Sequence, residues 1–92
     1  MRYHFSPQNL QKPRKLAVRH RLRLLRLHND LTQRQVAEAL KLDRSTYAYY
    51  ETGKCQPSLD TLLKLADLYD VSTDYLLGRI SVEAPEHSST GR

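Results

Sequence analysis

The chain has 92 residues, which is enough for one small domain, and a formal net charge of +5. It holds a single cysteine, which excludes an internal disulfide and a thiolate zinc site. No apolar run approaches the roughly 18 residues of a membrane span, and the N-terminus lacks an apolar leader, so we expect a cytoplasmic protein.

The charge is distributed unevenly along the chain. Residues 1–30 carry a net charge of +7, residues 31–57 carry +1, and residues 58–92 carry −3. A basic front and an acidic back would orient the domain on a polyanion such as a nucleic acid. A solvated helix face that happens to be basic is the alternative interpretation.

Periodicity divides the chain into an arm, a helical domain and a tail. Residues 1–13 contain two prolines and no sustained period, which predicts an arm. Residues 14–80 show helical spacing of apolar residues and no strand pattern, which predicts an all-α domain of five helices. Residues 81–92 are predicted to form a flexible tail.

The first predicted helix covers residues 14–29 and carries two apolar stripes. Leu22 and Leu25 set the face that is expected to reach the core, whereas Leu24 and Leu27 lie off that face. The second stripe could widen the core, receive apolar residues of the arm, or contact a second copy of the chain. These three interpretations remain open.

The second and third predicted helices are short and separated by about three residues. Thr32 and Gln35 have the spacing of a capping box at the start of the second helix. Asp43 is a candidate cap for the third helix, which runs from Arg44 to a stop at Gly53. Two amphipathic helices joined by a short turn are the pattern of a helix-turn-helix, whose second helix can enter a major groove.

Ser58 and Ser72 are predicted to cap the fourth and fifth helices, and Gly78 follows the last of them. On these helices and the preceding two, the apolar residues at helical spacing are expected to form the core. The expected inward residues are Val36, Ala37, Leu40, Tyr47, Tyr50, Leu59, Leu62, Leu63, Ala66, Tyr69 and Tyr75.

The order and spacing of these elements resemble the Cro/repressor, or Xre, type of DNA-binding domain across residues 19–79. The resemblance implies a compact, lambda-repressor-like fold of five helices, binding to duplex DNA, and frequent dimerisation. The blocks that carry it are residues 31–40 (LTQRQVAEAL), 42–47 (LDRSTY), 50–54 (YETGK), 57–66 (PSLDTLLKLA) and 71–78 (VSTDYLLG).

The resemblance also assigns roles to individual residues. Gln33 matches a glutamine that contacts phosphate, Arg44, Ser45 and Tyr49 match base-reading positions, and Lys54 lies in the loop that follows. The predicted DNA-contacting residues are Gln33, Arg34, Arg44, Ser45, Thr46, Tyr49, Lys54 and Gln56. Arg26 and Glu51 match a pair that, in some members, forms an ion pair between the first and third helices.

Two positions depart from the family pattern. Lys41 stands at the turn position that glycine usually occupies, so it must adopt a left-handed backbone at a cost of about 1–2 kcal/mol, or the turn must differ. Tyr49 replaces a shorter or basic residue. It can contact sugar-phosphate or a thymine methyl group, and a solvent-facing tyrosine is the alternative.

These observations predict a sequence-specific, repressor-like transcriptional regulator of a prokaryote or phage, acting as a homodimer on a double-stranded DNA operator. An antitoxin-type interaction module, docking a partner protein through the arm or tail, is one alternative, and a non-specific nucleoid binder is another. We expect no metal and no cofactor, because the four histidines lack ligand spacing. No catalytic set is recognisable, so an enzyme is not expected.

Overall fold

The computed structural model describes residues 16–81 together with Pro7 and Leu10. The rest of the predicted arm, the predicted domain boundary at residue 14 and the tail beyond residue 81 lie outside the described residues. Within the described part the chain forms five helices and no strand: α1 (Val18–His28), α2 (Gln33–Leu40), α3 (Arg44–Thr52), α4 (Leu59–Tyr69) and α5 (Thr73–Leu77). The predicted all-α fold of five helices is confirmed.

Side-chain hydroxyls start three of the helices. Thr32 Oγ1 accepts a hydrogen bond from the Gln35 N–H at 3.0 Å, and Gln35 Oε1 accepts one from the Thr32 N–H at 2.8 Å, which completes the predicted capping box. Ser58 and Ser72 each accept a bond from the backbone N–H three residues further on, at 3.2 and 3.0 Å. These three helix starts are therefore determined by local sequence.

One predicted helix start is wrong, and one predicted cap residue lacks its side-chain hydrogen bond. α1 begins at Val18 instead of residue 14, because the Ala17 carbonyl accepts the first helical bond, from the Arg21 N–H at 3.0 Å. Asp43 does occupy the cap position of α3, in an extended backbone, but its side chain makes no cap hydrogen bond. Its carboxylate can still interact favourably with the positive end of the helix.

In the turn between α2 and α3, Lys41 adopts the left-handed backbone, which is the first of the two alternatives expected for this position. Lys41 has φ 60° and ψ 45°, and the Leu42 N–H donates to the Ala37 carbonyl at 2.8 Å. The lysine therefore carries the backbone strain of a left-handed residue.

Replacing Lys41 with glycine is expected to raise the free energy of unfolding by about 0.5–1 kcal/mol. Removing the left-handed strain outweighs the larger chain entropy of glycine in the unfolded state. Lys64→Gly, in the exposed middle of α4, is the matched control and is expected to cost about 1 kcal/mol. Urea unfolding that shows the same loss in both variants would contradict the strain at Lys41.

The core lies between all five helices and is centred on side chains without solvent exposure. Tyr47, Leu22, Leu65 and Leu76 are each 0% exposed, and Tyr47 meets Tyr50 edge to face with ring centroids 6.2 Å apart. The buried set is Val18, Leu22, Val36, Ala37, Leu40, Tyr47, Tyr50, Leu62, Leu65, Ala66 and Leu76. Most of the predicted inward residues are in this set or, like Tyr69, are packed against it.

The predicted inward face of α4 is partly wrong. Leu59 and Leu63 are 81% and 56% exposed, whereas Leu65, which was not predicted as core, is fully buried. On a helix with about 100° per residue, Leu59 and Leu63 lie about 120° and 160° from Leu65. The leucines of α4 lie on several sides of the helix. Packing against the neighbouring helices buries the side that is centred on Leu65.

The second apolar stripe of α1 does not widen the core. Leu24 and Leu27 are each 50% exposed, and Leu24 lines a shallow groove of about 180 Å³ with Leu25, His28 and Tyr75. Of the three interpretations, the core role is therefore wrong. The apolar residues of the arm lie outside the described residues, apart from Leu10.

A single arginine ties α1 to α5. Arg21 Nη1 donates to the carbonyls of Tyr75 and Ile80, and the guanidinium carbon lies 4.3 Å from the centre of the Tyr75 ring. The clamp satisfies a carbonyl near the end of α5, where a positive charge is favourable.

Among residues 16–81, none of the five helices has the length and apolar character of a membrane span.

Candidate nucleic-acid interface

The N-terminal ends of α2 and α3 meet through a side-chain contact. Gln33 is the first residue of α2 and Arg44 the first residue of α3. Arg44 Nη1 donates to Gln33 Oε1 at 3.1 Å. Gln33 Nε2 in turn donates to Glu51 Oε1 at 3.1 Å, so the amide joins an exposed arginine to a buried carboxylate.

Glu51 forms an ion pair with Arg26 of α1. Arg26 Nε donates to Glu51 Oε2 at 2.7 Å and Arg26 Nη2 donates to Glu51 Oε1 at 3.0 Å, a bidentate geometry. Arg26 Nη1 also donates to the Leu31 carbonyl at 3.0 Å. The side chains of Arg26 and Glu51 are only 11% and 3% exposed, so the structure brings the two predicted partners together as a buried ion pair.

The surroundings favour the ionised form of Glu51. Burial by itself would raise the pKa of this carboxyl, but the hydrogen bonds from Arg26 and Gln33 and the nearby Tyr47 hydroxyl together lower its pKa below the usual value. Burial raises the pKa of Tyr47 and Tyr69, which lie close to Glu51. Neither tyrosine hydroxyl has a hydrogen-bond partner of good geometry within the described part of the chain.

The predicted DNA-contacting side chains are accessible. Two of the eight, Gln33 and Thr46, are half-buried. The exposed ones are Arg34, Arg44, Ser45, Tyr49, Lys54 and Gln56. Ser45 and Tyr49 are four residues apart on α3 and share one face, with Arg44 beside it. α3 therefore presents polar side chains outward while Tyr47, Tyr50 and Glu51 anchor its other face.

Tyr49 has a partner that sequence reasoning missed. The Lys54 ammonium lies 4.7 Å from the centre of the Tyr49 ring, and the Lys54 N–H donates to the Tyr49 carbonyl at 3.0 Å. Gly53, at φ 82°, lets the chain turn back over the last turn of α3. The glycine stop predicted from the sequence was the available signal, since it brings residue 54 back toward residue 49.

Arg19 is a second residue of this surface that sequence reasoning missed. It contributed there only to the net charge of residues 1–30. Its side chain packs over Gly53, so close that a Cβ added there would lie 2.8 Å from Arg19 Cδ. A shallow cleft of about 420 Å³ lies at this point, and Gln56 and His20 also line it. Arg19 thereby extends the positive surface of the loop after α3 onto α1.

Among the described residues, no three potential metal ligands of the His, Cys, Asp or Glu type lie together. The accessible groups of this surface are guanidinium, ammonium, amide, hydroxyl and phenol groups. They can neutralise phosphates and donate to base edges.

Comparison with known proteins connects this geometry to a family. The profile described as helix-turn-helix matches residues 22–76, more than half of the chain. YobD, an HTH-type transcriptional regulator of Bacillus subtilis, is 50% identical over 58 residues, which are 63% of this chain and 52% of that protein. The chain is also similar to the HTH-type transcriptional regulator ImmR of Bacillus subtilis, at 42% identity over 73% of this chain and 53% of the relative.

A phage protein and a solved structure are also similar to the chain. The cryptic phage CTXphi transcriptional repressor RstR of Vibrio cholerae is 33% identical over 70% of this chain and 57% of its own length. The crystal structure of a transcriptional regulator from Listeria innocua superposes with a TM-score of 0.69 at 28% identity, covering 78% of this chain and 67% of that one. The chain spans about half the length of the curated relatives it matches. It therefore belongs to the helix-turn-helix family, of the Xre type found in transcriptional regulators.

Proposed function

We propose that the chain binds double-stranded DNA sequence-specifically and serves as the DNA-reading part of a transcriptional regulator. The observation that carries this proposal is the two-sided structure of α3. One side is anchored by Tyr47 and Glu51 in the core, and the other presents Arg44, Ser45 and Tyr49 to solvent. A helix held in this way can enter a major groove with its N-terminal residues toward the bases.

The predicted DNA-contacting side chains divide by chemistry into two roles. Arg44 reads a base, because its parallel donors match the O6 and N7 acceptors of guanine. Ser45 and Thr46 can pair with more than one base edge, so they carry less information. Phosphate contacts come from Gln33, Arg34, Lys54 and Gln56, and they determine the register of the protein on the duplex. Lys54 is well placed for this role because Tyr49 supports its ammonium.

The proposal extends to a cytoplasmic homodimer that acts as a repressor. Two copies related by a two-fold axis would place two α3 helices on a palindromic operator, about one helical turn apart. The repressor role is supported by RstR, a relative that is a phage repressor by name. The basic surface of α1 and the loop after α3 would face the DNA backbone.

Enrichment of bound sequences from a random DNA pool tests the proposal directly. The expected result is a defined motif with two half-sites related by a two-fold axis. A double variant, Arg44→Ala with Tyr49→Ala, is the matched control and should recover a weaker motif that has lost selectivity at one position of each half-site. Equal recovery of all sequences by the unchanged chain would overturn sequence-specific binding and favour a non-specific nucleoid binder.

The affinity for DNA is expected to fall steeply with salt. If about six phosphates are neutralised per dimer, the slope of log K against log salt concentration should be roughly −5. Lys54→Gln should make the slope less negative by about 1 for each protomer, because one phosphate contact is lost. Titrations by fluorescence anisotropy at several salt concentrations measure both slopes. A slope near zero would contradict DNA binding through this surface.

A further inference from the structure

We propose that Glu51 is a positioning residue for DNA recognition: through the Gln33 amide, its carboxylate holds the Arg44 guanidinium in the geometry that reads a base. This inference rests on the proposed function and deepens it. It assigns to the buried ion pair a role at the interface, in addition to its role in folding.

The hydrogen-bonding capacities of the three groups allow one arrangement. An ionised carboxylate only accepts hydrogen bonds, and a guanidinium only donates them. The Gln33 amide between them must therefore turn its NH₂ group to Glu51 and its carbonyl to Arg44, as the two 3.1 Å contacts have it. A flipped amide would place donor against donor on the Arg44 side and acceptor against acceptor on the Glu51 side.

The hydrogen-bonded chain Glu51–Gln33–Arg44 is called the relay, and its inner end, the Glu51 carboxylate, has little freedom to move. Glu51 is 3% exposed in its side chain and bound at both oxygens by Arg26, which also binds the Leu31 carbonyl. The position of the carboxylate is thus determined by α1 and by the loop before α2. The relay transmits that position to the outer surface over two hydrogen bonds.

The outer end is an exposed side chain that would otherwise sample many conformations. The tether uses Nη1 of Arg44 and leaves the edge formed by Nε and Nη2 unoccupied by any described partner. That edge carries two parallel donors, which is the pattern that guanine accepts. Holding the side chain before DNA arrives reduces the entropy lost on binding.

The first test examines the tether in the free protein by NMR. Rotation of the Arg44 guanidinium should be slow relative to that of Arg34, an exposed arginine with no hydrogen bond to another described residue. Gln33→Met keeps the side-chain length and leaves the Arg26–Glu51 pair intact, so the fold should persist while Arg44 rotates as freely as Arg34. Equal rotation of Arg44 in both proteins would overturn the inference.

The second test separates positioning from stability by reversing the ion pair. In the double variant Arg26→Glu with Glu51→Arg, the attraction between α1 and α3 is retained, but residue 51 becomes a donor and turns the Gln33 amide over. If the ion pair only stabilises the fold, the double variant should regain both the stability and the base discrimination that either single substitution loses. We expect folding to recover while discrimination at the base pair read by Arg44 stays at least about threefold lower than in the unchanged chain.

The comparison remains decisive if the reversed pair does not fold. Gln33→Met should lose discrimination at that base pair. The phosphate contact proposed for Gln33 carries no sequence information, so its loss weakens binding to all operator variants alike and leaves their ranking to report on Arg44. Arg21→Met, which loosens the α1–α5 clamp away from α3, should keep the ranking despite its lower stability. A lost ranking in Arg21→Met, or a retained ranking in Gln33→Met, overturns the inference. The NMR test uses no DNA, so failure of the pool enrichment would remove the proposed function without deciding whether Arg44 is tethered.

Discussion

Glu51→Gln is expected to lower the free energy of unfolding by about 3–5 kcal/mol, because it removes one partner of a buried ion pair. The substitution leaves the Arg26 guanidinium 11% exposed and without its counter-charge. A neutral amide also offers only one acceptor oxygen, so the bidentate bond at 2.7 and 3.0 Å cannot be kept. Chemical unfolding monitored by circular dichroism measures the loss.

Glu38→Gln is the matched control, because Glu38 is an exposed glutamate on α2. Its substitution should change the free energy of unfolding by no more than about 0.5 kcal/mol. If Glu51→Gln lowers the free energy of unfolding by less than about 1 kcal/mol, the ion pair contributes no more than a solvent-exposed pair, and the predicted large loss is wrong.

The contribution of Glu51 should also depend on pH. Because its pKa is lowered in the folded protein, folding favours the ionised carboxylate. The stabilisation is therefore complete above the unfolded pKa of about 4.3 and is lost as the pH falls through the lower, folded value. The difference in stability between the unchanged chain and Glu51→Gln should narrow over this acidic range and stay constant near neutral pH.

Arg44→Ala is expected to weaken binding to the preferred DNA site by about 1–3 kcal/mol and to relax selectivity at one position of each half-site. The loss should be specific, because a bidentate contact to one base is removed while the phosphate contacts remain. Arg44 is exposed, so the free energy of unfolding should stay within about 0.5 kcal/mol of the unchanged chain. Binding to a panel of single-base operator variants measures both the affinity and its ranking.

Tyr49→Ala provides the contrast for this measurement. Tyr49 lies five residues after Arg44, about 140° around the helix, so it sits on the flank of the surface that faces the groove. It also supports the Lys54 ammonium, and its loss should therefore weaken binding to all sequences to a similar extent. If Arg44→Ala leaves the ranking of operator variants unchanged, Arg44 contacts phosphate and the base-reading role assigned to it is wrong.

Features that depend on a few neighbouring residues were determined by the sequence itself. The capping box of Thr32 and Gln35 and the serine caps of α4 and α5 follow from hydrogen bonds between residues three positions apart. The glycine ends of α3 and α5 have the same origin. Together with the 3.6-residue period, these signals are enough to predict five helices and the turn between the second and third.

Features that depend on which surfaces meet were decided only by the tertiary structure. Leucines lie on several sides of α1 and α4. Periodicity alone therefore left the role of Leu24 and Leu27 open, and it wrongly predicted Leu63 instead of Leu65 as a core residue of α4. The relay from Glu51 through Gln33 to Arg44 joins residues 18 and 11 positions apart. Such contacts require the packing of α1, α2 and α3, because no local pattern specifies which side chain an amide will face once the helices have met.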